Sequence, residues 1–350
     1  MRFNRRIRLD RVGSATLPAR IGAVVEVAPD IHCAPGAIIA VRALSDNPVY
    51  GHVEMPSGRL AKVVAGNLMA VVLGARRALH GYMGTVPESL AVGDEIALLN
   101  MGGVAGVCDA PNKDLGPPIR LEVLGHVERE GQPLNIRDFA LPPCDVLDAN
   151  GPPITLVFGT CMNSGKTFAA AEIIRLWTRA GLKVAAGKVS GVAAQRDLHG
   201  FRDNGAVVTA SFVDCGLPST VGATDLGAVS RAVVAELERS RPDAILLELG
   251  DGIIGGYNTD GVLGDESLRA RTGARVLCAN DLVGAWGGVQ YLEPLDHAPQ
   301  VISGPVTDNA VGTTWIEEHL GLPARNARLD PEGLASAVAR AAALPVEIDE

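Results

Sequence analysis

The sequence predicts an α/β chain in two parts: a mostly parallel wound sheet in the C-terminal half, preceded by a small, mainly-β barrel or sandwich. Three observations predict it. The run Ile154-Thr155-Leu156-Val157-Phe158-Gly159 is apolar and β-branched, passes through Thr160-Cys161-Met162-Asn163-Ser164 and closes on Gly165-Lys166-Thr167, where an alanine-rich helical segment begins. From Gly181 onward, strand-like and helix-like segments alternate. From Ile7 to about Glu130, short strand-like runs are separated by Pro, Gly, Asp and Asn.

The N-terminal part comes first. Ile21–Val27, Ala37–Val41, Leu60–Val64, Glu95–Leu99 and Ile119–Val123 are β-branched or alternating runs, the rhythm of a small barrel or sandwich. The run from Asn67 to Leu79 fits a buried strand or a short helix, because a continuous apolar run has no period to decide between them. Gly84, Gly102, Gly103 and Gly106 are most simply turn residues. Residues 1–130 therefore form one domain, suited to oligomerisation or substrate presentation, and a homo-oligomer is expected. Gly131 to Pro153 carries Pro133, Pro142, Pro143, Pro152 and Pro153 and reads as a linker or wrapping segment, with the boundary near Asp148. Residues 154–350 form the second domain.

The wound sheet begins with the Ile154 run. Its glycine loop and following helix form the context of a phosphate site, since loop N–H groups and a helix N-terminus converge on one spot and favour negative charge there. The residues expected to hold a nucleotide are Gly159, Thr160, Asn163, Ser164, Gly165, Lys166 and Thr167. Lys166 would reach the outer phosphates and the Thr167 hydroxyl would hold Mg²⁺. Five residues separate Gly159 from Gly165, one more than the usual loop carries.

Val184–Gly187, Ala244–Glu248, Val276–Ala279 and Val301–Ser303 are the next strands, with helices over Asp225–Ser240, Thr313–Leu320 and Pro331–Ala343. Ligands of such sheets sit beyond the carboxyl ends of the strands. Those ends carry Lys188, the acids Glu248 and Asp251, the pair Asn280-Asp281, and Thr307-Asp308-Asn309. A cation needs carboxylates and a transferring phosphoryl group needs cations, so the mixture is chemically coherent.

The order Gly-Thr-x-x-x-x-Gly-Lys-Thr, then Lys188-x-Ser190-Gly191, then a strand ending Glu248-x-x-x-Gly252, resembles dethiobiotin synthetase and its P-loop NTPase relatives over about Ile154 to Leu320. That family also has five residues between its loop glycines. The resemblance implies ATP and Mg²⁺ as cofactors, Lys166 and Thr167 at the nucleotide, Lys188 at the reacting carbamate, and Glu248 at the metal. The sequence departs from the family at Cys161, where an aspartate is usual, and at Val189, where a proline is usual. The family's second metal-supporting aspartate has only Asp203 or Asp214 as loose counterparts, and Asp203 is taken with Thr167 and Glu248 as the metal set. Thr160 stands where partition-type ATPases carry a lysine. A P-loop family that includes D-glutamate N-acetyltransferases is also broadly similar.

Composition narrows the partners. A chain of 350 residues with 47% hydrophobic and 20% charged residues has enough apolar surface for two folded domains. The net charge of -9 disfavours nucleic acid, whose backbone needs clustered Lys and Arg. Arg2, Arg5, Arg6, Arg8 and Arg11 gather near the start and read as a solvated edge. There is no signal-peptide pattern and no apolar run of ~18 residues to span a membrane. The six cysteines are scattered without a Cys-x-x-Cys pair, which suits reduced cytoplasmic thiols. The seven histidines show no metal-ligand spacing. The expectation is a cytoplasmic, Mg-ATP-dependent ligase or kinase-like transferase, with Lys166, Lys188 and Glu248 as its catalytic residues. It would activate a small carboxylate, carbamate or amine by phosphoryl transfer. The alternatives are a nucleotide-dependent switch or delivery protein, and an N-acyltransferase that uses the loop for cofactor phosphates.

Overall fold

A computed structural model describes residues 5–348, so Arg2 of the basic cluster lies outside the described residues. The chain forms two compact units. The first comprises Met1–Leu141 with Val192–Arg196 and Phe212–Val221, and the second comprises Pro142–Gly191, Asp197–Ser211 and Gly222–Glu350.

The first unit is a barrel. Arg120–Arg129 pairs with Ile38–Ala43, which pairs with Leu68–Leu73, which pairs with Val104–Ala110. That strand pairs with Glu95–Asn100, which returns to Arg120–Arg129 and closes a ring of five. Closure removes the open edges that a sandwich would leave. The period of two decides what fills it: Ile39 and Val41, Met69 and Val71, Ile96 and Leu98, and Leu121 and Val123 belong to one buried cluster. The ambiguous run after Asn67 is thus a strand, Leu68–Leu73, because its alternate residues meet this interior. The ten-residue strand Arg120–Arg129 shifts register between Val123 and Gly125. Gly125 has φ +147°, and a Cβ there would lie 2.6 Å from the Ala28 carbonyl, so glycine is what lets this strand bend.

The Pro-rich stretch is tied down along its length. Asn135 and Asp138 form a reciprocal capping box over the 3₁₀ turn Ile136–Phe139. In the second unit, Arg231 donates to the Cys144 carbonyl at 2.9 Å, and Arg271 donates to the carbonyls of Asp148 at 2.6 Å and Pro152 at 2.5 Å.

The second unit is a six-stranded sheet, wholly parallel, in the spatial order Val208–Ser211, Val184–Ser190, Ala244–Leu249, Ile154–Gly159, Thr272–Cys278, Val301–Ser303. The helix Lys166–Arg179 buries Ile173, Ile174 and Trp177 in one cluster with Leu334 and Val338 of the helix Pro331–Ala341. The Trp177 indole N–H donates to the Ala335 carbonyl at 3.1 Å, so its one polar atom is satisfied inside the core. Among the elements the sequence did not announce are the helices Arg196–Asp203 and Leu282–Leu292 and the strand Val208–Ser211. The Leu282–Leu292 helix contains Gly284, Gly287 and Gly288, poor helix formers, but a Cβ at Gly288 would come within 2.7 Å of Leu277. Close packing on the sheet outweighs propensity there. The second strand runs to Ser190 rather than ending at Gly187, which places Lys188 inside the strand. Among the described residues no helix is long and apolar enough to cross a membrane.

Candidate functional site

The site is built on the carboxyl ends of the central strands of the second unit. The strand Ile154–Gly159 is buried throughout and delivers the chain into the loop 160–165, and the helix Lys166–Arg179 follows. At Gly159 a Cβ would sit 2.2 Å from Ser164 Oγ, so a side chain there would displace that hydroxyl from the loop. Asn163 (φ 61°) and Gly165 (φ 89°) turn left-handed. Such turns point successive N–H groups to one side, and the first N–H groups of the helix have no carbonyl of their own to pair with. This is the chemistry of an anion cradle, and it gives the chain a P-loop architecture.

Lys166 is 6% exposed, and its ammonium donates to the Cys161 carbonyl at 2.7 Å and lies 3.4 Å from Ser164 Oγ. Burial pulls its pKa down, with the Glu248 carboxylate opposing that pull. A buried cation this close to the cradle is held by loop oxygens that a phosphate group can replace. Thr167, one residue on, donates its hydroxyl to Glu248 Oε1 at 3.1 Å.

Glu248 lies in the strand Ala244–Leu249, next to the loop strand, and is 1% exposed. Burial raises its pKa, and the Lys188 ammonium works against the rise. Lys188 is its direct neighbour in strand register, with Nζ 3.4 Å from Glu248 Oε1. The same ammonium forms an ion pair with Asp197. Burial alone would lower the Lys188 pKa; the Asp197 and Glu248 carboxylates reverse this and raise it, so Lys188 stays charged. Two lysines and two acids thus meet at the head of the sheet with balanced charge, which makes ionised groups tolerable in so enclosed a place.

The structure brings Lys166, Thr167, Lys188 and Glu248 together and leaves Asp203 apart. Asp203 is exposed at the last position of the helix Arg196–Asp203, while Asp197 in its first turn pairs with Lys188. Six helical steps set the two acids roughly 9 Å apart along the axis. Asp214 belongs to the first unit, as does Gln195, whose N–H donates to Glu54. Asp251, with φ 67°, lies in the turn after the Glu248 strand, where Ile253 N–H donates to the Gly159 carbonyl at 2.8 Å. Asn280 donates to Cys161 Sγ at 3.0 Å. Asp197 is the residue that sequence reasoning missed. Its signal was an acid in a helix first turn, legible only once Arg196–Asp203 is recognised as a helix.

The donor set fits Mg²⁺. Glu248 Oε2 is buried without a hydrogen-bond partner, its Oε1 accepts the Thr167 hydroxyl, and the Asp197 carboxylate shares the Lys188 ammonium with it, all hard oxygen donors. Among the described residues no group of three or more His, Cys, Asp or Glu forms a metal cage. Mg²⁺ ordinarily takes one or two carboxylates, with waters and phosphate oxygens completing its shell.

No protein-family model matches the chain, and no curated protein matches it in sequence. Solved structures do. Chloroplast FtsY from Physcomitrella patens matches over 55% of this chain and 67% of its own, at 14% identity and a TM-score of 0.39. A DUF1611 family protein from Anabaena variabilis matches over 56% of this chain and 61% of its own, at 15% identity and a TM-score of 0.39. The signal recognition particle 54 kDa protein from Aeropyrum pernix matches over 56% and 47%, at 16% identity and a TM-score of 0.36. The chain therefore spans between about half and two thirds of these proteins' lengths. At such scores the likenesses say nothing of activity and do not single out dethiobiotin synthetase. The P-loop architecture stands on the chain's own strand, loop and helix.

Proposed function

We propose that the second unit binds a magnesium nucleoside triphosphate and transfers its terminal phosphoryl group to a small oxyanion, such as a carboxylate or carbamate. One observation carries the reading: a second buried ammonium, Lys188, lies 3.4 Å from the same Glu248 carboxylate that accepts the Thr167 hydroxyl. The helix N-terminus and Lys166 hold the β- and γ-phosphates, with Lys166 exchanging the Cys161 carbonyl for phosphate oxygens. Thr167 and Glu248 would hold Mg²⁺, which would supply positive charge against the phosphates. Lys188 holds the acceptor oxyanion in line and keeps its proton throughout. The acceptor oxygen bonds to the γ-phosphorus as the bond to the β–γ bridging oxygen breaks, and the nucleoside diphosphate leaves with that electron pair. Such a reaction asks mainly for positioning and charge neutralisation, which these residues supply.

A second reading is a switch in which water is the acceptor. It is supported by the ion pair that already occupies Lys188 on the Asp197 side. An acyl-CoA-using transferase is the third. The test is product analysis with triphosphate, Mg²⁺ and a pool of small acids and amines. The proposal expects a phosphorylated or condensed product in step with nucleoside diphosphate. Diphosphate and phosphate alone would establish the switch, and acyl transfer without triphosphate breakdown would establish the transferase.

A further inference from the structure

Beside the phosphate loop of the second unit lies a cavity of about 230 Å³, whose wall includes Asn163, Gly165, Phe168, Gly304, Asp308 and Arg328. It is smaller than the ~300–1,000 Å³ of a typical small-molecule site, the size for one ring system and not a whole nucleotide. Gly165 is also the N-cap of the loop helix, so a ligand with phosphates at that helix end would continue into this cavity. Gly304 brings the two walls together: at φ +89° its Cβ would sit 2.4 Å from the Ser164 carbonyl, and no side chain fits there.

The polar groups in the cavity are specific. Asn326, 6% exposed, spends its whole amide on the chain: Nδ2 donates to Asp308 Oδ1 at 2.9 Å and to Thr307 Oγ1 at 3.0 Å, and Oδ1 accepts from Arg328 N–H at 2.8 Å and Leu329 N–H at 3.0 Å. Asp308 is thereby fixed through one oxygen, and its Oδ2 has no protein partner among the described residues. The Arg328 guanidinium lies 5.0 Å from the centroid of the Phe168 ring, and Phe168 is 40% exposed. The cavity thus offers an aromatic face, a guanidinium that only donates and a carboxylate that only accepts.

We propose that this cavity receives a purine and that Asp308 reads it as guanine. The inference rests on the triphosphate reading above and names its base. Guanine carries two adjacent donors, N1–H and the N2 amino group, which one carboxylate accepts together, and its O6 accepts from a guanidinium. Adenine meets a carboxylate with an N1 lone pair instead, and offers it only the N6 amino group. Asn326 is a positioning residue that aims the Asp308 carboxylate.

The test is calorimetry of the full chain with Mg²⁺ and, separately, GDP, ADP, xanthosine diphosphate, coenzyme A and base-free tripolyphosphate. The wild type is expected to bind GDP at least tenfold tighter than ADP or coenzyme A. Asp308→Asn should lose about ten- to a hundredfold in GDP affinity, the size of one bidentate base contact, and gain for xanthosine diphosphate. Xanthine replaces the N2 amino donor by a carbonyl, which an amide can satisfy. Tripolyphosphate affinity should not change in Asp308→Asn, because it has no base to read. ADP or coenzyme A binding as tightly as GDP, or an Asp308→Asn variant with unaltered GDP affinity, overturns the guanine assignment and leaves the phosphate site standing. If tripolyphosphate and every nucleotide fail to bind the wild type, the triphosphate reading itself falls.

Discussion

The barrel interior and the head of the wound sheet answer buried charge in opposite ways. In the barrel, Glu54 is 2% exposed and accepts from the Ser14 hydroxyl and, at 2.7 Å, from the Gln195 N–H. Arg76, 3% exposed, donates to the Tyr50 hydroxyl at 3.2 Å and to the Leu99 carbonyl. Each of these charges is answered by neutral dipoles of the fold, which fix loops and strand ends. In the wound-sheet unit, Lys166, Lys188, Asp197 and Glu248 answer one another at one spot. Burying ions costs several kcal/mol apiece, and a scaffold can satisfy its loops with dipoles alone. A balanced cluster of charges at the ends of parallel strands suits a place that must meet a charged ligand, whereas Glu54 and Arg76 of the barrel serve its architecture.

The comparison breaks most visibly in the cores. Trp177→Ala removes a fully buried ring beneath the phosphate-loop helix and should cost about 3–5 kcal/mol, with loss of triphosphate binding at the temperature where the unit melts. Ile39→Ala in the barrel should cost about 2–5 kcal/mol and leave triphosphate affinity of the folded protein within about threefold. Calorimetric melting combined with titration separates the two, and equal loss of affinity in both variants would erase the division of labour.

Acid should weaken both units alike. His126 accepts the His32 N–H at 3.2 Å, with its other ring nitrogen 3.0 Å from the Leu134 carbonyl. His297 accepts from Arg275 at 3.2 Å, with its other nitrogen 2.8 Å from the Leu263 carbonyl. Both rings are neutral acceptors, and burial lowers both pKa values. A lowered folded pKa means the unfolded chain binds the proton first. The stability these rings contribute is complete above the unfolded pKa near 6.5 and declines as pH falls through the folded values. Melting temperatures should drop between pH 7.5 and 5.5, and His126→Gln or His297→Gln should flatten that slope; an unchanged slope in both variants would show that other groups control it. The smallest effect belongs to the exposed pair Arg6–Glu26, with 77% and 38% of the side-chain surface exposed. Removing Arg6 should shift stability by less than about 0.5 kcal/mol.

Much of this was legible in advance where pattern and physics coincide. The phosphate loop combined a β-branched run, glycines and a helix, and the barrel strands read as short β-branched or alternating runs between turn residues. The strand Val301–Ser303 appeared where its residues predicted it. The helix Arg196–Asp203 was hidden because only Leu198 and Phe201 of its residues are buried, too few to show a period. Asp197 was lost with it, and Asp203 was taken only as a loose counterpart of an aspartate in the family the sequence resembles. That Val192–Arg196 and Phe212–Val221 belong with the barrel could not be read locally. Their placement depends on non-local contacts such as the bridge between Val192 and Ser219 and the approach of Gly102, whose Cβ would lie 1.9 Å from the Ala193 carbonyl.

The central claim is that Lys188 serves the reaction and Lys166 serves the nucleotide. It is tested most directly by measuring nucleotide affinity and turnover together in Lys188→Met and Lys166→Ala. Losing the cation that holds the acceptor oxyanion should reduce turnover about a hundredfold in Lys188→Met, with triphosphate affinity within about threefold of wild type. Lys166→Ala should lose affinity and turnover together. A Lys188→Met protein that turns over at the wild-type rate, or that loses binding as completely as Lys166→Ala, would contradict the account.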